Sequence, residues 1–271
     1  MNQITARDLP KEMIEHSMGL LRLGNSVNDS CLRKQHKVKS NYRLVLSAYF
    51  ARSIEIFESI ILLIKNDRVT DAGVLLRSLA NLIINLGYID KNREERATLL
   101  LADGATQHLK LYKKSKSFFN SIGKSREVEG YIRHYENEKN KLSRIIRLKY
   151  PHAIPWEDVK IIEKAKANQE LQYIYDLLYS DLSRFEHHDF SASRVYVDPN
   201  TCNPILKSGA HRHSPVLNHI KILILSNIIF GIVLEFFNGE YQLKWKEKID
   251  EMARKLTVMG GLTQHNKKQV P

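Results

Sequence analysis

Apolar residues recur at steps of three and four along most of the chain. Tyr42, Val45, Leu46, Tyr49, Phe50, Ile54, Phe57, Ile60, Ile61 and Ile64 form one continuous stripe, the pattern of a helix with one buried face. Asn66-Asp67 breaks it. Thr70 is placed to cap a second helix, with Asp71 in its first turn, that runs through Val74, Leu75, Leu79, Leu82, Ile83 and Leu86 to Gly87. The charged stretch Asp90 to Arg96 opens a third helix toward Phe119. Gly123 and Gly130 punctuate the next stretch, and Tyr131 to Tyr150 reads as a further basic helix that stops before Pro151. A loop bracketed by Pro151 and Pro155 leads to a short helix over Trp156 to Ala167. Gln169 to His187 is a stronger one, with Leu171, Ile174, Tyr175, Leu178, Leu182 and Phe185 on one side.

The pattern then changes. Arg194-Val195-Tyr196-Val197 alternates and Asp198-Pro199-Asn200 is a turn, so a small hairpin or extended flap is expected within 189–213. Ser214-Pro215 starts the next helix as cap and first residue. Its apolar run, Ile222 to Leu234, is shorter than the roughly 20 residues that cross a bilayer, so it reads as a buried helix. A last amphipathic helix covers Tyr241 to Leu256, and the polar tail from Gly260 is expected to fray. The fold class is all-α: a single multi-helix bundle with a short irregular or β-hairpin insert near 189–213. An N-terminal helix and linker (1–39) precede the main helical domain (40–258), and a flexible tail (259–271) comes last.

Composition adds charge to this picture. The 271 residues carry 42 Lys and Arg against 30 Asp and Glu, a formal net charge of +12, with 43% hydrophobic residues, 12 Gly and 7 Pro. Such a chain is neither disordered nor turn-rich like a β-sandwich. Two cysteines, Cys31 and Cys202, are too few for a disulfide framework, and no apolar core follows the first charges. Both features point to the cytoplasm, without a membrane span. Residues 101–150 hold 12 Lys and Arg against 5 Asp and Glu, so much of the excess sits in one stretch. Lys110, Lys113, Lys114 and Lys116 crowd one helix end; Lys141, Arg144 and Arg147 crowd another. If these helices pair as a hairpin, the clusters form a phosphate-binding face for RNA or another nucleic acid. The alternative is a solvated face that keeps the protein soluble.

Two segments carry candidate chemistry. Ser180-Asp181-Leu182-Ser183-Arg184-Phe185-Glu186-His187-His188 ends an apolar helix. An imidazole there can transfer protons near neutral pH, and an adjacent arginine can steady a phosphate. The plainer reading is a helix C-terminus where cations suit the dipole. Arg77 stands among leucines, with Asn81 and Asn85 at i+4 and i+8, either on an exposed polar stripe or in a functional pocket. HExxH, paired CxxC units, a glycine-rich phosphate loop and GxSxG are all absent from the sequence. No metal site and no cofactor are therefore expected.

Asp71-Ala72-Gly73-Val74-Leu75-Leu76-Arg77-Ser78-Leu79, with Leu177-Leu178-Tyr179-Ser180-Asp181-Leu182-Ser183-Arg184-Phe185-Glu186-His187, resembles an uncharacterised bacterial all-helical domain family. In that family an arginine in an "LLRSL" helix and a histidine in an "LSxFxH" helix recur together, here across about 40–240. Asn81 stands where the family usually has an acidic residue. The layout also resembles the HEPN superfamily, many of whose members are metal-independent endoribonucleases of toxin–antitoxin and phage-defence systems. Their signature separates arginine from histidine by four to six residues. Here Arg184 precedes His187 and His188 by less, while Arg147 to His152 fits the spacing in a loop context. The resemblance implies His187 as the proton-transfer residue, Arg77 or Arg184 as phosphate stabiliser, Asp181 and His188 beside them, and a homodimer. The expected reaction is attack of a ribose 2′-hydroxyl on the adjacent phosphate. The alternative is a non-catalytic module that binds nucleic acid or a partner protein of a defence or toxin system.

Overall fold

The computed structural model describes residues 9–33, 40–179 and 219–267, and among these every regular element is helical. In chain order they are α1 (Leu9–Arg33), α2 (Asn41–Lys65), α3 (Val69–Asp90), α4 (Arg93–Ser121) and α5 (Ser125–Lys149). A 3-10 turn (Trp156–Asp158), α6 (Ile161–Ala165), α7 (Gln169–Ile174), a π-turn (Tyr175–Tyr179), α8 (His219–Tyr241) and α9 (Lys246–Lys267) complete the order. The all-α class is thus established. The insert expected at 189–213 and the Ser214-Pro215 cap lie outside the described residues.

Several boundaries move for local reasons. Asn66-Asp67 does end α2, with Asp67 in the left-handed region at φ 58 and Arg68 N donating to the Leu63 carbonyl at 2.8 Å. A short polar side chain tolerates that conformation. The next helix starts at once: Ala72 N donates to the Arg68 carbonyl at 3.0 Å, which leaves Thr70 inside the first turn and not at the cap. Buried Gly87 does not stop α3, which continues to Asp90. Gly130 does not interrupt α5, which begins at Ser125; the only left-handed glycine among the described residues is Gly123, at φ +75 in the α4–α5 turn. The expected Gln169–His187 helix leaves α geometry at Tyr175. The helix expected over Tyr241–Leu256 starts at Lys246 and runs to Lys267.

Contacts divide the chain into two compact units. Met1–Lys37, Ser47–Ile84 and Gln169–Pro271 make one, and Val38–Leu46 with Asn85–Asn168 make the other. In the first, α8 packs on α1 and α9. Phe50 stacks on Phe237 with centroids 3.9 Å apart, and Phe57 on Phe230 at 4.3 Å; all but Phe237 are wholly buried. The approach of α1 to α8 depends on Gly24, where a Cβ would lie 2.8 Å from Phe230 Cζ.

In the second unit, the Glu94 carboxylate accepts from the Ser40 hydroxyl and from Asn41 N at 3.2 Å. It thereby satisfies donors that the start of α2 leaves open. Tyr42 adds a hydroxyl bond to Asp90 at 3.0 Å. Helices α4 and α5 pair as an antiparallel hairpin, the arrangement the charge clusters require.

Two helices, α3 and α8, are long and apolar enough to cross a membrane by length and composition. At 23 residues α8 exceeds the run read from sequence. Windows in α3 and α8 are already 67% and 50% buried within the protein, and the core helix of a soluble protein passes the same test.

Candidate functional site

The α4–α5 hairpin places the basic clusters. Lys113 pairs with Glu136 at 2.7 Å and Lys116 with Glu129 at 3.2 Å, which fixes the antiparallel register. At 1.5 Å per residue, Lys141, Arg144 and Arg147 therefore lie farther along the hairpin than Lys110 to Lys116. The two clusters occupy successive segments that together span roughly 25 Å of the hairpin axis, not two facing patches. Lys110, Lys114, Lys141, Arg144 and Arg147 are all exposed. Lys141 reaches Glu138 only at 3.8 Å. Among the described residues no carboxylate lies within ion-pair distance of Lys110, Lys114, Arg144 or Arg147. Between Asp103 and Glu127 the chain carries six cations and no acid.

Aromatic rings zip the hairpin shut. Tyr135 stacks on His108 at 4.8 Å and on Tyr112 at 5.7 Å, and Tyr112 stacks on Tyr131 at 4.9 Å. These rings are committed to one another and are not a free platform for bases. Phe118 differs: it is 62% exposed, beside the lysines.

Arg77 is buried at 6% exposure, on α3 between the fully buried Leu76 and Leu79, so the exposed-stripe alternative is excluded. Its Nε and Nη1 atoms are shut off from solvent, as are the Oδ1 atoms of Asn81 and Asn85. Neither of these asparagine oxygens has a hydrogen-bond partner among the described residues. A guanidinium keeps its charge at any working pH, so burying one is costly unless anionic or polar groups surround it. Asp181, Arg184, His187 and His188, which sequence joins to Arg77, lie outside the described residues. The chain enters that segment through the Tyr175–Tyr179 π-turn, a geometry common at functional sites. His152 comes after the end of α5 in a turn, so the Arg147–His152 spacing does not fall within one helix.

One cluster has no counterpart in the sequence reading. The Arg96 guanidinium lies over the Tyr88 ring at 3.8 Å, Tyr88 meets Trp156 edge-on at 5.7 Å, and Lys164 Nζ sits 3.5 Å from the Trp156 ring centroid. Burial lowers the Lys164 ammonium to about 8, against the opposing pull of the Asp103 carboxylate. Only the lone tryptophan of this region hinted at a packing centre. Among the described residues, no group of three His, Cys, Asp or Glu side chains is arranged to hold a metal ion.

The chain is thus an all-helical protein with a buried arginine in its "LLRSL" helix and an exposed basic hairpin. Residues 43–204 match a family of unknown function, DUF5677, and the chain belongs to that family. No curated protein and no solved structure matches it.

Proposed function

We propose that this protein binds RNA along the α4–α5 hairpin. The observation that carries the reading is the run between Asp103 and Glu127, six cations without an acid. It is displayed on an exposed hairpin where Lys110 and Lys114 have no carboxylate within reach among the described residues. Lysines held apart from carboxylates are available to phosphates, and each phosphate neutralised releases condensed counterions. Fluorescence anisotropy with a labelled single-stranded RNA tests it. The Lys110→Glu/Lys114→Glu protein should bind at least tenfold more weakly at low salt while its helical circular dichroism is unchanged. Equal affinity for the variant would refute the reading. A DNA strand of the same sequence, run alongside, reports whether the ribose matters.

A second reading is favoured by the burial of Arg77. Here the protein is an HEPN-like, metal-independent endoribonuclease of a toxin or phage-defence system, acting as a cytoplasmic homodimer. Arg77 or Arg184 stabilises the phosphate, His187 transfers the proton, and Asp181 and His188 support them. His187 takes the proton of the 2′-hydroxyl as the 2′-oxygen bonds to phosphorus, the bond from phosphorus to the 5′-oxygen breaks, and that proton passes to the leaving 5′-oxygen; a 2′,3′-cyclic phosphate and a 5′-hydroxyl result with no metal or other co-reactant. RNA cleavage that persists in EDTA and vanishes in His187→Ala supports this reading; binding without cleavage leaves the RNA-binding module.

A further inference from the structure

Most rings of the α4–α5 hairpin are occupied. His108, Tyr112, Tyr131 and Tyr135 stack on one another along its seam. Phe118 lies on the outer side of α4 and is 62% exposed. Among the described residues the one ring it meets is Phe119, edge-to-face at 5.9 Å. A contact of that kind occupies at most one face of the Phe118 ring.

The cations divide in the same way. Lys113 and Lys116 are held at the seam by Glu136 and Glu129. Lys110 and Lys114 are exposed, with no carboxylate in ion-pair distance among the described residues. Residues four apart share a helix face, so Lys110, Lys114 and Phe118 form one outward ridge with about 6 Å between steps. The open ring and the open cations therefore coincide on one side of α4.

This pairing suits one kind of strand. A single strand can turn a base out of its stack, and every base offers a π-face to an aromatic ring whatever its identity. In an A-form duplex the base faces are closed inside the stack, and only edges, ribose and backbone can be reached. A backbone lying on Lys110 and Lys114 thus brings a base over Phe118 only where the RNA is unpaired.

We propose that Phe118 is a base-stacking platform, which gives the hairpin a sequence-tolerant contact with unpaired RNA that duplex RNA cannot make. The inference rests on the RNA-binding reading above and adds to it the class of strand recognised.

Fluorescence anisotropy on the full chain separates the ring from the cations, with labelled oligouridine, an abasic strand of the same length and charge, and duplex RNA as probes. The unaltered protein should favour oligouridine over the abasic strand by about fivefold or more, the lower end of the range for one base–aromatic stack. Phe118→Ala should lose that factor on oligouridine alone, and Phe118→Trp should keep it. Salt dependence should stay parallel to that of the unaltered protein, because Phe118→Ala removes no phosphate contact. Unchanged oligouridine affinity in Phe118→Ala, while Lys110→Glu/Lys114→Glu still weakens it, would overturn the stacking and leave the RNA-binding reading standing. An equal loss on all three probes would overturn it by giving the ring a structural role. If the unaltered protein binds none of the probes, both readings fall. Vesicles of equimolar phosphatidylcholine and phosphatidylserine supply the last comparison, since Leu111 and Ile122 are also exposed on this side of α4. A loss in Phe118→Ala confined to those vesicles would overturn the proposal by assigning the ridge to an anionic membrane surface.

Discussion

Around Phe57, rings with no solvent exposure meet face to face. Along the outer half of the α4–α5 hairpin, Leu109 and Val128 are the buried apolar side chains, and ion pairs with stacked, half-open rings make up the rest of the seam. Burial of large side chains contributes about 1.5–3 kcal/mol each, whereas an exposed ion pair contributes about 1 kcal/mol at most. The first region is built for stability. The second leaves its cations in water, where a polyanion can reach them.

Substitutions should expose this contrast. Phe57→Ala empties a packed site and should cost about 3–5 kcal/mol in denaturant unfolding. Tyr112→Ala, in the hairpin, should cost clearly less; an equal loss would mean the hairpin is as tightly packed as the core. Acid should act next on the first unit. His16 is lowered from 6.5 to about 4, so between those values the unfolded chain binds more protons than the folded one. Stability then falls as pH falls through that window, by about 3 kcal/mol at full extent. His16→Gln should flatten this part of the profile, and an unchanged slope would place the sensitivity elsewhere. Gly24→Ala drives a methyl toward the immobile Phe230 ring and should destabilise by about 1–3 kcal/mol in the same unfolding assay. The smallest effect has the opposite sign. Gly130 lies in a helix with open space around its Cα, so Gly130→Ala should raise stability by about 0.5–1 kcal/mol.

The helices were legible because periodicity is written locally. The α2 stripe from Tyr42 to Ile64 needed nothing beyond its own spacing, and Asn66-Asp67 carried its own stop. Glycines misled where context decides: Gly87 and Gly130 sit inside helices because packing, or a continuous hydrogen-bond ladder, outweighs their propensity. The basic clusters were visible as composition, but their register depends on Lys113 meeting Glu136 across a turn, and no local pattern encodes that. Arg77 was recognised as unusual from its leucine neighbours, while its burial is a tertiary fact. The Trp156–Lys164 contact was missed for the same reason, since it joins side chains whose spacing follows no motif.

The central claim is that RNA is held by unpaired cations of the hairpin, and salt tests it most directly. Observed affinity for a single-stranded RNA should fall linearly with the logarithm of salt concentration, with a slope that loses about 0.7 for each phosphate contact removed. Lys110→Glu/Lys114→Glu should therefore flatten the slope by about 1.4 or more as well as lower the affinity. Parallel lines for the variant and the unaltered protein would place the phosphate contacts elsewhere and contradict the account.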